Sequence, residues 1–81
     1  MRPRDYAVDL VTAWINREQP NLDAVPEWCR DLARSHARNT CQQVKFHGDR
    51  VLSGQPLESV PRGLINNVQK YVDVRRVSVY Y

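Results

Sequence analysis

One stretch, Val25 to Leu52, constrains the fold more than any other. Apolar or small residues recur at Val25, Trp28, Cys29, Leu32, Ala33, Ala37, Thr40, Cys41, Val44 and Val51. The steps are mostly three and four, the period of one buried face on an α-helix. In a chain of 81 residues, a helix this long is the element on which the others must pack. Its far end has three readings. In order of preference these are a helix to Ser53 ended by Gly54, a helix to His47 ended by Gly48, and a hairpin at 44–52 turning on His47-Gly48-Asp49.

The flanking segments also read as helices. Asp5 to Arg17 follows Pro3, with Asp5 as a candidate N-cap. Only Asp9, Thr12 and Asn16 interrupt its apolar residues. An apolar arc that wide implies contact on two sides, within the fold or with another copy around Trp14. Pro20 ends this helix, because the residue before a proline is pushed out of helical geometry. Asp23 is placed to cap the central helix, with Pro26 in its first turn. After the turn at Gly54-Gln55-Pro56, Ser59 is the expected cap of a third helix, whose stripe is Leu64, Ile65, Val68, Tyr71 and Val72. No internal repeat and no low-complexity segment stands out. The expected fold is an all-α, single small three-helix domain over residues 1–81, with a long central helix and a short C-terminal extension. The alternative is α+β, in which the 44–52 hairpin pairs with the alternating Val77-Ser78-Val79-Tyr80-Tyr81.

Charge narrows the class of partner. The net charge is +3, mild for a dedicated DNA-binding domain. It is unevenly spread: residues 1–27 sum to −2, residues 28–50 to +3 and residues 59–81 to +3. No signal peptide is read at the start and no apolar run is long enough to span a membrane. Two cysteines are too few for a secreted disulfide framework. On one helix, Cys29 and Cys41 would stand about 18 Å apart along the axis and roughly 120° apart around it. A disulfide needs Cα atoms within about 7 Å. Two reduced thiols in a cytoplasmic protein are therefore expected.

Catalytic and metal chemistry fails on spacing. Cys29, His36, Cys41 and His47 are separated by seven, five and six residues. On a straight helix Cys29, His36 and His47 share a face but lie about 10 and 16 Å apart, whereas zinc needs four ligands within about 2.3 Å. The same distances rule out a Cys–His nucleophile pair. The three glycines are scattered, so there is no phosphate loop. No enzyme, cofactor or metal is expected.

What remains is surface. Arg30, Arg34 and Arg38 step by four and form one stripe, with Lys45 beyond. Arg75 and Arg76 precede Tyr80 and Tyr81, a basic and aromatic end that suits protein hot spots or nucleic acid. The bland reading of the stripe is a solvated face, with Glu27 and Asp31 three residues before Arg30 and Arg34 and able to pair with them. The leading expectation is a non-enzymatic protein-binding module: a small cytoplasmic regulator, inhibitor or adaptor acting by surface occlusion. Its candidate contact residues are Arg30, Arg34, Arg38, Lys45, Arg75, Arg76, Tyr80 and Tyr81, facing a partner with an acidic surface. Small size and lack of chemistry also suit a protein of a mobile element. The alternative is a nucleic-acid-binding regulator using the arginine stripe or the third helix, which offers Arg62, Asn66, Asn67, Gln69 and Lys70. A homo-oligomer is a third arrangement, and no membrane contact is expected.

Overall fold

Three helices in chain order, α1 (Pro3–Ile15), α2 (Arg30–Leu52) and α3 (Ile65–Ser78), carry the fold. They are seen in a computed structural model that describes residues 2–78. Among the described residues there is no strand, so the 44–52 hairpin is not formed and α2 runs straight through it. The helix ends as the first-ranked reading has it: the chain turns after Leu52 with Gly54 at φ 112°. That left-handed conformation is open to glycine at no steric cost. The tail that would have supplied a C-terminal strand lies partly outside the described residues, and its start, Val77-Ser78, belongs to α3.

The helix starts differ from the expected caps. Arg2, not Asp5, is the N-cap of α1. Asp5 sits one turn in and closes the end reciprocally: its carboxylate accepts the Arg2 N–H at 2.9 Å, while its own N–H donates to the Arg2 carbonyl at 3.0 Å. Neither Asp23 nor Ser59 caps a long helix. Each lies in a short 3-10 turn, Leu22–Ala24 or Leu57–Ser59. A proline follows each turn, and a second 3-10 turn, Glu27–Cys29 or Arg62–Leu64, leads into α2 or α3.

The chain divides into two compact units, residues 1–41 and 42–81. The core of the first is Ala7, Leu10, Val11, Ile15, Val25, Cys29, Ala33 and Ala37. The core of the second is Val44, Val60, Val68, Tyr71 and Val72, with buried Gly48. In this second unit the Tyr71 ring lies across the backbone of Gly48, so close that a Cβ there would fall 2.6 Å from Tyr71 Cε1. The Tyr71 hydroxyl donates to Asp49 Oδ1 at 2.7 Å.

The two units repeat one plan, which corrects the reading of the chain as free of internal repeats. Leu22-Asp23-Ala24-Val25-Pro26 and Leu57-Glu58-Ser59-Val60-Pro61 are the same element, 35 residues apart. Val25 N–H donates to the Leu22 carbonyl at 3.1 Å, and Val60 N–H to the Leu57 carbonyl at 3.0 Å. Both valines are buried. Pro26 and Pro61 share φ and ψ within a few degrees, −54° and 139° against −52° and 137°. The same offset takes Ala33 to Val68 and Ala37 to Val72, all of them core positions. The leading helix of each unit follows the plan with an offset of 37, taking Ala7 to Val44 and Val11 to Gly48. The offset changes because the connection after Leu52 is two residues shorter than that after Ile15. Each unit is thus helix, paired 3-10 turns, helix, and α2 serves as the second helix of one and the first helix of the other.

Candidate functional site

The residues expected to make contacts have been put to different uses. Arg30 does not project with the stripe. Its guanidinium Nη2 donates to the Val25 carbonyl at 3.0 Å, and its Nε is buried without a partner. It clips the 3-10 turns to the start of α2. Arg34 and Arg38 are exposed and border a shallow groove whose apolar wall includes Leu10, Pro20 and Leu22. Lys45 reaches forward one turn to Asp49 at 2.7 Å, the one ion pair among the described residues. Arg75 stacks on the Tyr71 ring, its guanidinium carbon 4.2 Å from the ring centroid. Arg76 is exposed near the end of α3. Tyr80 and Tyr81 lie outside the described residues. On the third helix, Gln69 donates to Asp73 at 2.8 Å rather than facing outward as a free amide.

Asp49 is the electrostatic centre of the second unit. The hydrogen bond from Lys45, and after it the one from Tyr71, hold its carboxyl below the usual range. The Asp49 hydrogen bond, followed by the charge attraction, raises the Lys45 ammonium. Burial, with the Asp49 hydrogen bond next, pushes the Tyr71 phenol up. Burial likewise raises the Cys41 thiol. Both cysteines are free. Among the described residues no three His, Cys, Asp or Glu side chains gather as a metal site, and no helix is long and apolar enough to cross a membrane.

The surface residues that sequence periodicity misplaced are apolar. Trp28 and Leu32 belong to the period of the central helix and were expected inside. Instead they stand 71% and 63% exposed. Phe46 is 57% exposed. The reason lies in the row beside them. Cys29, Ala33 and Ala37 are small, fully or nearly buried, and complete the seam of the first unit. Leu32 lies about 100° from Ala33 around the helix, and Trp28 lies in the 3-10 turn that precedes it. Two small-residue steps of four beside a row of large residues were the available signal.

Two grooves accompany these side chains. In the first unit, Leu32, His36 and Asn39 of α2 face Arg2, Pro3 and Arg4 at the start of α1, across an open groove. Trp28 lies four residues before Leu32, in the 3-10 turn that leads into α2. In the second unit, Phe46 lies in a groove with Gln42, Lys45, Arg50 and Gln55. The Arg50 guanidinium carbon is 5.5 Å from its ring centroid and His47 packs edge-on at 5.1 Å. Comparison with known protein families, curated proteins and solved structures gives no match.

Proposed function

We propose that this chain is a non-enzymatic protein-binding module, a small cytoplasmic regulator, inhibitor or adaptor that acts by covering a surface of its partner. The observation that carries the reading is the exposure of Trp28, in the 3-10 turn that leads into α2, and of Leu32, on α2 itself, beside a buried seam that is complete without them. Large apolar side chains presented on a rigid element are the usual anchors of protein interfaces, and tryptophan is foremost among them. Large exposed apolar patches on soluble proteins mark contact surfaces.

The disposition of the cations supports protein over nucleic acid as the partner. Arg30 is held by a carbonyl, Lys45 by a carboxylate and Arg75 by a ring. Arg34 and Arg38 border an apolar groove rather than a continuous basic track. A phosphate-binding face needs many cations free to meet the backbone, and its affinity falls steeply with salt. Sedimentation velocity of the purified chain, alone and with a mixed-sequence duplex at two salt concentrations, separates the readings. The protein-binding reading expects no shift with duplex at either salt. A salt-sensitive shift would replace it with the nucleic-acid reading. Immobilised chain should then retain a partner from host lysate that a Leu32→Asn variant releases. Equal retention by both would remove Leu32 from the contact.

A further inference from the structure

The duplication inside the chain supplies its own control for what the fold requires. The plan that places Trp28 and Leu32 on the first unit places Gly63 and Asn67 on the second, 35 residues on. Nothing lies within 4 Å of a Cβ added at Gly63, so that position is open in the second unit too. The same 3-10 turn and helix are therefore built with no side chain at one position and an amide at the other. The second unit is built without tryptophan or leucine at these positions.

The groove beside Leu32 has a definite charge. Its walls are Arg2, Pro3, Arg4, Leu32, His36 and Asn39, with no carboxylate among them. Arg2 caps α1, and Pro3 and Arg4 open its first turn, where the helix dipole adds positive potential. Asp5 is occupied with the Arg2 N–H at the helix cap. Asp31 precedes Leu32 by one residue on α2, so helix geometry turns it to the opposite flank from His36, and Glu27 lies in the 3-10 turn before α2 and is not among the groove's walls. The surface is an apolar ridge with cations along one side.

We propose, on the reading of this chain as a protein-binding module, that the Leu32 groove receives an acidic amphipathic helix of the partner. The apolar face of that helix covers Trp28 and Leu32, and its carboxylates lie over Arg4 and His36. Helix-in-groove recognition needs this combination, apolar anchors at steps of three and four with complementary charge beside them.

Fluorescence anisotropy of a labelled synthetic helix tests it with the full chain. The probe is a peptide of about 16 residues, with leucines at i, i+3, i+4 and i+7 and glutamates on one flank. Its counterpart carries lysines instead. The glutamate peptide should bind saturably and the lysine peptide should not. Raising salt from about 50 to about 300 mM should weaken the complex, since exposed charges are screened over that range. Arg4→Glu should weaken it about tenfold or more. Leu32→Asn, the exchange that the second unit already carries, should do the same with the far-ultraviolet circular dichroism unchanged. Lysine peptide binding as tightly, or no saturable signal up to about 100 μM glutamate peptide, overturns the acidic occupant. If Leu32→Asn still loses a lysate partner in either case, the protein-binding reading stands without it. Conversion of a dimer to a monomer by Leu32→Asn would name a second copy of the chain as the occupant and also overturn the proposal.

Discussion

Gly48→Ala should destabilise this protein, although the same exchange stabilises most helices. In an exposed helix interior, alanine is favoured over glycine by about 1 kcal/mol. At position 48 the new methyl meets the Tyr71 ring. The Cβ would sit 2.6 Å from Cε1, about 1 Å inside the ordinary carbon–carbon contact of roughly 3.5–4.0 Å. The ring cannot swing aside freely. Tyr71 is 4% exposed, and its hydroxyl is held at 2.7 Å by Asp49. Overpacking of a close-packed site costs about 1–3 kcal/mol, and losing the hydroxyl contact adds about 1 kcal/mol. Set against the helix-propensity gain, the net loss is about 1–3 kcal/mol. A chain of this size has about 4–12 kcal/mol in all, so the shift in urea midpoint is large. Chemical unfolding followed by circular dichroism measures it. The informative control is Gly48→Ala in a Tyr71→Ala background, where the ring is gone and the methyl should stabilise. That reversal of sign is a coupling between the two positions. If Gly48→Ala alone raised the midpoint by the full propensity gain, the close approach of helix and ring would be refuted.

Other outcomes follow from the same contacts. The Asp49 carboxyl is lowered by Lys45 and then Tyr71, so its contribution is complete above the ordinary aspartate value and lost as pH falls through its lowered folded value. Asp49→Asn should flatten that acid limb of a stability–pH curve. Tyr71 is raised by burial and then by Asp49. Its contribution should hold below the ordinary tyrosine value and fade as pH rises through the raised folded one, and Tyr71→Phe should remove that alkaline limb. The two loop valines are structural equivalents, so Val25→Ala and Val60→Ala should each cost about 2 kcal/mol in urea unfolding; indifference at either site would break the equivalence. Thiol labelling should be biphasic. Half-buried Cys41, with its thiol raised by burial, should react more slowly than a free cysteine at neutral pH, and buried Cys29 only on unfolding.

The three-helix plan and the length of α2 were legible in the sequence because the spacing of apolar residues along a helix is a local property. The end of α2 at Gly54 was legible for the same reason: a left-handed turn is a demand on one residue. The core residues Cys29, Ala33 and Ala37 of the first unit and Val44 of the second were also within the apolar period. The period could not choose between neighbouring rows. Trp28 and Leu32 fit it as well as Cys29 and Ala33, and the choice fell to packing: Cys29 and Ala33 are buried and their larger neighbours are left exposed. The fates of the arginines were likewise tertiary: Arg30 turned inward because a carbonyl at Val25 lay within reach, and Arg75 found a ring one turn away.

The duplication shows the division most clearly. Between the two turns only Leu22/Leu57, Val25/Val60 and Pro26/Pro61 are identical, and the offset shifts from 37 to 35 across a shortened connection. One continuous helix is shared by both units, so no boundary marks where the first ends. The sequence determined by itself the three helices, because each is set by residues within a few positions of each other, whereas the paired 3-10 turns before α2 and α3 stand where it read the first turns of those helices. Which side chains were spent on the core and which were left facing solvent was decided only when the helices met, because burial depends on what a distant part of the chain leaves room for.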